Sequence, residues 1–292
     1  MSLPPRAVVV HRATELTELV ARHGTRQQAG FFLTSRGRSL EELEQRHDAQ
    51  QAALANVSAA IPLDWRRAVA ERNDLDRFVF GPEDVVIAVG QDGLVANVAK
   101  YLDGQPVVGI NPDPGRNPGV LVRHPPAATA KLLTTQGPSE SLTMVVAQTD
   151  DGQRLLALNE VYVGHRSHQS ARYRLITPDG FEERQSSSGI LTGTGTGSTG
   201  WCRSAWQERK SRLALPAVTE PALCWFVREA WPSPATGTTR TEGLLKASQQ
   251  LTIVAESDLV VFGDGMESDT LSLSWGERLD ISIAETQLNL VR

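Results

Sequence analysis

An α/β domain followed by a β-rich domain is the fold class that the 292-residue sequence predicts. Three observations predict it. Short apolar strands alternate with helical segments up to about residue 125, which is the texture of a mostly parallel sheet. Beyond the proline-rich HPPAAT at His124, hairpin-length strands with turn residues between them take over. Apolar residues at 40% and charged residues at 22% are the balance of a chain that buries a core. At this length, two domains of ordinary size are expected, residues 1–125 and 126–292.

The elements follow in order. RAVVVH, Arg6 to His11, is a short β-branched strand. TELTELVARHG after it puts Leu16, Leu19 and Val20 on one helical face, with Gly24 as the stop. Ser39 and Glu42 have the spacing of a capping box, opening a helix whose Leu43, Leu54, Val57 and Ile61 share a face. DVVIAVG, Asp84 to Gly90, is a continuous apolar run of strand length, as expected of a strand covered on both faces. VANVAKYL is helical, and PVVGIN, Pro106 to Asn111, is a second buried strand.

In the second half, SLTMVVAQT, the turn at Asp150 to Gly152, and RLLALNEVYVG form one hairpin. ARYRLI, PDG and FEERQS form another, and QLTIVAE, LVVFGDG, DTLSLSWG and ERLDISIA are four further strands. Two segments interrupt the β pattern: the glycine stretch ILTGTGTGSTGW with helix-like WCRSAWQERK behind it, and the loop from Trp231 to Gly243.

Composition excludes several classes. The net charge of −5 comes without a basic run of five, which argues against a nucleic-acid groove or an anionic membrane surface. Cys202 and Cys224 are the only cysteines, too few for a disulfide framework, and no CxxC pattern is present. The nearest histidines, His165 and His168, lack carboxylate or thiolate neighbours, so no metal ligands are assigned. No apolar run approaches the ~20 residues a membrane helix needs. MSLPPRAVVV enters a strand at once, leaving no leader pattern, so a reducing, cytoplasmic setting is expected.

Two motifs carry chemistry. GQDG, Gly90 to Gly93, lies between a buried strand and a helix, where open α/β sheets bind ligands. Free N–H groups of a helix start attract an anion, and glycine lets it come close. Asp92 is out of place for pure anion binding: it is a turn or N-cap residue, or it accepts a proton from an attacking hydroxyl, or it holds a metal bridging the phosphates. The glycine stretch is bracketed by Ile190, Leu191, Trp201, Ala205 and Trp206, which a slack linker rarely is. Gly195 to Gly200 meets G-x-G-x-x-G without the βα unit of a dinucleotide fold, and no lysine follows as in a Walker loop. A run of backbone N–H groups and hydroxyls able to wrap a phosphate or ribose remains. Arg116 and Arg228 are candidate phosphate clamps or plain surface arginines.

A strand ending in GxDG, then VVGIN, then Asn159, Glu160 and Val161, then a TGTGST loop, resembles the order of motifs in the NAD kinases, within the superfamily shared with diacylglycerol and sphingosine kinases. GINPDPGR, ALNEVYVG, SSSGILTGTGTGS, WFVREAWPSP and LVVFGDG are similar to segments of the divergent, mitochondrial-type branch and its bacterial relatives. The resemblance runs from AVVVH almost to the C-terminus.

It implies a phosphotransferase that moves the γ-phosphoryl of ATP, or a phosphoryl of polyphosphate, with Mg²⁺, onto the adenosine-ribose 2′-hydroxyl of NAD. The active site would lie between the α/β and β-rich domains. Asp92 falls on the family's proposed base. Gly90 and Gly93 fall on glycines approaching the nucleotides, and Asn159 and Glu160 on the pair contacting NAD. Thr194, Gly195, Thr196, Gly197, Ser198 and Thr199 fall on its TPTGST loop, and Trp201 and Ser204 on its tyrosine and serine beside the dinucleotide. A homodimer is also implied. Three positions depart from the family: Gln91 for glycine, Leu94 for threonine, and Ser188 for the usual aspartate. Alternatives are a kinase of a lipid or sugar hydroxyl, or a nucleotide-binding regulator without turnover.

Overall fold

The computed structural model describes residues 4–135 and 137–292. The chain begins β1 (Arg6–His11), α1 (Glu15–His23), α2 (Arg26–Thr34), α3 (Glu41–Ala60), β2 (Arg66–Glu71), β3 (Asp84–Val89), α4 (Asp92–Ala99), β4 (Pro106–Ile110) and α5 (Thr129–Thr134). Next come β5 (Ser139–Leu142), β6 (Val145–Thr149), β7 (Arg154–Ala157), β8 (Glu160–Gly164), β9 (Ala171–Ile176), β10 (Glu182–Ser187), β11 (Gly189–Gly193) and α6 (Trp201–Glu208). The remainder is β12 (Ala222–Arg228), β13 (Glu242–Lys246), β14 (Gln250–Ala255), β15 (Leu259–Gly263), β16 (Thr270–Leu273), β17 (Arg278–Ile283) and β18 (Leu288–Val291).

Two compact units result. The first holds the chain to Val98, Gln105–Glu140 and Asn289–Arg292; the second holds Ala99–Gly104 and Ser141–Leu288. The first unit therefore extends past residue 125 and takes back the last four residues.

Its sheet has the order β2-β1-β3-β4-β18-β5. β1 pairs in parallel with β2 and β3, and β4 pairs in parallel with β3 and β18. The apolar runs that predicted β1 and β3 are buried: Ala7, Val9, Ile87, Val89, Val108 and Ile110 pack with Ala53, Val57 and Ile61 of α3. Each valine or isoleucine among them contributes about 1.5–3 kcal/mol by leaving water. Gly24 ends α1 as expected, at φ 82°.

Three local expectations change. Ser39 accepts the Glu41 N–H at 3.1 Å, a two-residue step rather than a capping box, and Glu42 pairs with Arg46 and Arg116 instead. α2 was not foreseen because only Ala29 and Leu33 of it are buried, leaving no apolar stripe. β2 escaped notice because it alternates weakly and leaves Val69 66% exposed at the sheet edge.

The second unit is a sandwich. One sheet runs β10-β9-β14-β17-β6-β7, the other β13-β12-β11-β8-β15-β16, with antiparallel pairing. Their facing sides share one core that includes Val161, Tyr173, Trp225, Ile253, Val261 and Ile281. A smaller cluster of Leu191, Cys202, Ala205, Cys224 and Phe226 lies under α6.

The α/β plus β-rich expectation is met. Two runs read as single strands are each broken, however. SLTMVVAQT splits into β5 and β6, with Thr143 bonded to the Val218 and Glu220 carbonyls. RLLALNEVYVG splits into β7 and β8, which belong to different sheets. β12 and β13 were not expected as strands. No helix among the described residues is long and apolar enough to cross a membrane.

Candidate functional site

Asp92 opens α4, immediately after the end of β3. Its carboxylate does not cap that helix. It accepts the N–H groups of Leu121 at 2.8 Å and Val122 at 2.9 Å on Oδ1, and that of Val120 at 2.9 Å on Oδ2 and 3.1 Å on Oδ1. The held segment lies so close to β4 that a Cβ on Gly109 would stand 2.1 Å from the Leu121 carbonyl oxygen. Glycine is therefore required in GIN. Asn111 secures the start of the same loop, its amide donating to the Asn117 carbonyl at 2.6 Å and its oxygen accepting from the Asp113 N–H at 3.0 Å.

Gly93 is exposed with open space where a Cβ would be, so its backbone is approachable; Gly90 is tighter, 3.1 Å from a Leu94 methyl. Oδ2 of Asp92 takes a single N–H, which leaves it a lone pair for a hydroxyl.

Asn159, Glu160 and the hydroxyl-rich loop form one piece of the second unit. The Thr194 N–H donates to the Asn159 carbonyl at 2.9 Å, and its hydroxyl donates to the Leu158 carbonyl at 2.6 Å. That hydroxyl also accepts the Thr196 and Gly197 N–H groups at 3.1 and 3.3 Å. A Cβ on Gly197 would lie 2.1 Å from the Asn159 carbonyl oxygen, and one on Gly195 2.0 Å from that of Ala217. The glycines therefore permit backbone-on-backbone packing.

The buried Thr194 and Ser198 hydroxyls are used inside the loop, Ser198 donating to the Thr194 carbonyl at 3.0 Å. The Thr196 hydroxyl is buried without a partner, and Thr199 is exposed while donating to the Thr196 carbonyl at 2.9 Å. The Asn159 side-chain amide makes no hydrogen bond among the described residues.

Asp264 holds the other side of that turn. Its carboxylate accepts the N–H groups of Leu158 at 2.8 Å, Asn159 at 2.7 Å and Glu160 at 3.3 Å, and its own N–H donates to the Glu160 carbonyl at 3.1 Å. Asp264 adopts φ 53°, a conformation a non-glycine residue keeps only when its surroundings impose it. This is the physical reason β7 and β8 are two strands. Sequence reasoning missed Asp264; the available signal was its place in LVVFGDG, an aspartate before glycine at a strand end, as in GQDG.

Burial pushes the Glu160 carboxyl up to about 8, with the charges of Asp264 and Cys224 adding to the effect. Burial also raises Asp264, to about 6, against the pull of its three N–H donors and of Lys100. At neutral pH Glu160 is therefore protonated and can donate a hydrogen bond, while Asp264 is charged. Lys100, the residue after α4, is buried and pairs with Asp269 at 2.7 Å.

Trp201 stacks on Tyr162 with ring centres 5.3 Å apart, and the Arg228 guanidinium lies 5.3 Å from the Trp201 ring centre. Ser204 is exposed one turn along α6. Arg228 borders an open pocket of about 600 Å³ with Arg209, Glu208 and Glu229. Arg116 is a surface arginine facing Glu42 and Asp113. Among the described residues no set of three His, Cys, Asp or Glu side chains is arranged to hold a metal ion.

No protein-family model matches the chain. It is 28% identical over 271 residues to mitochondrial NAD kinase 2 of Rattus norvegicus, covering 74% of this chain and 63% of that one. It is 27% identical to the Homo sapiens protein of the same name over 74% of this chain and 60% of that one. The chain thus spans under two thirds of the length of these curated relatives. An NAD kinase from Archaeoglobus fulgidus, solved in complex with ATP, shares the fold at a TM-score of 0.58 and 18% identity, over 98% of this chain and 93% of that one.

Proposed function

We propose that this chain, which sequence likeness and fold together support as a member of the NAD kinase family, phosphorylates NAD at the adenosine-ribose 2′-hydroxyl to give NADP. One observation carries the reading. Asn159–Glu160 and Thr194–Thr199, which the resemblance implies as dinucleotide contacts, are 35 residues apart in sequence yet share backbone contacts at Asn159.

In this reading Asn159 and the protonated Glu160 offer donors and acceptors to a sugar. Trp201 supplies an aromatic face, and Gly93 an approachable backbone at a helix start. Asp92 receives the ribose hydroxyl on Oδ2. Phosphoryl transfer asks little of a base beyond orienting the nucleophile, so a carboxylate already holding three N–H groups suffices. Among the described residues the carboxylates lack the arrangement of a metal cage. Magnesium accordingly enters only as the ion that accompanies the donor's phosphates, and no step is assigned to it.

ATP is proposed as donor, with polyphosphate as an alternative; the active form is proposed to be a cytoplasmic homodimer. NADP formation from NAD with Mg-ATP or polyphosphate is the direct test, and no NADP from any donor rejects the reading. A regulator that binds NAD without turnover is favoured by one feature, the exposed Gln91 side chain in place of glycine at the start of α4. Calorimetric NAD binding in a protein that makes no NADP selects it.

A further inference from the structure

We infer that Asp264 is a positioning residue of the dinucleotide site, fixing the Leu158–Glu160 turn and through it the Thr194–Thr199 loop in the form that accepts NAD. This rests on the proposed NAD kinase activity. The chain of contacts is direct: Asp264 grips three successive N–H groups of the turn, while the carbonyls of that turn grip Thr194. Gly197 rests on the same Asn159 carbonyl. Both faces of one tripeptide are thereby committed, and a slack Asp264 frees both motifs together.

The second consequence is electrostatic. The groups facing Glu160 are Asp264 from the turn after β15, Cys224 from β12 and Cys202 from α6; Lys100, paired with Asp269, faces Asp264. Burial of Glu160 and, added to it, a negative charge on Asp264 keep a proton on Glu160, so that the site presents a donor to the sugar at neutral pH.

Asp264→Asn tests both, since asparagine tolerates φ above zero and keeps one acceptor. Three results are expected. The KM for NAD rises about 10- to 100-fold, the scale of a misplaced contact, with kcat changed less than about threefold. The alkaline limb of kcat/KM moves to lower pH by about 0.5 or more, because the charge that adds to burial in raising Glu160 is gone. Hydrogen exchange quickens at the N–H groups of 158–160 and 194–199.

An unchanged KM and pH limb in a folded Asp264→Asn protein overturns the inference, as does a loss confined to kcat. If that variant does not fold, Thr194→Val carries the test from the other face of the turn. A raised KM for NAD with faster exchange at 158–160 supports the inference, and a wild-type KM overturns it. If wild-type protein makes no NADP, calorimetric NAD binding replaces KM. Weaker NAD binding in the variant then supports positioning while the kinase reading falls, and equal binding removes both.

Discussion

Asp92 and Asp264 use one device in two environments. Each follows a strand, precedes a glycine and gathers the N–H groups of three consecutive residues, 120–122 in one case and 158–160 in the other. Asp92 is half-buried and its partner Val120 is 51% exposed, so one oxygen keeps a face toward solvent. Asp264 is also half-buried, but desolvation raises its carboxyl to about 6 and it adopts a left-handed backbone. In the proposed reading the clamp with an oxygen open to solvent receives the sugar hydroxyl. The other, its carboxyl raised by desolvation, shapes the neighbouring turn and adds its charge to the burial that keeps a proton on Glu160.

The largest expected effect separates the two chemically. Asp92→Asn should lower NADP formation by about 10²- to 10⁴-fold with little change in melting temperature, since the amide oxygen still accepts N–H groups. Near-wild-type turnover would reduce Asp92 to a loop clamp like Asp264.

The next effect separates them energetically. Asp264→Ala strands three N–H groups away from water at about 1–3 kcal/mol each, for a total of about 3 kcal/mol or more. Asp92→Ala should cost about 1–3 kcal/mol, because water replaces the carboxylate at exposed Val120 but not readily at buried Leu121 and Val122. Urea titration of both variants measures the gap, and equal losses would dissolve the distinction.

The smallest effect concerns Glu160. Its folded carboxyl titrates near 8 against the ordinary 4.5, so the folded state binds the extra proton between those values. Stability from this group is therefore full below pH 4.5 and declines as pH rises toward 8; Asp264, raised from 3.8 to about 6, acts in the same direction over its lower window. Glu160→Gln should flatten the decline, melting a few degrees above wild type at pH 9 and close to it at pH 5, by thermal scans. Identical slopes would mean that Glu160 is charged in the fold.

Much of the fold was legible because it is written locally. DVVIAVG and PVVGIN are apolar on both faces, and only a covered strand uses such a sequence. The hairpins of the second half carry their turns as DDG and PDG. What escaped has a physical cause in each case. β2 and α2 bury too little to leave a pattern, and β12, although apolar up to Arg228, was obscured by the unusual loops around it. The site was legible as a set of residue types, glycines and hydroxyls in a bracketed loop, but the roles were not. Thr194 and Ser198 read as ligand-wrapping hydroxyls and instead tie the loop to the Leu158–Asn159 turn and to itself.

The sequence alone determined the alternation of strand and helix and the later hairpins, because sterics and side-chain periodicity act within a few residues. Tertiary structure alone decided that Asp264 reaches back over a hundred residues to break β7 from β8. It also decided that Glu160 keeps its proton and that one oxygen of Asp92 keeps a free lone pair. Hydrogen bonding to a distant backbone and withdrawal from water depend on what the fold brings alongside, which no local pattern records.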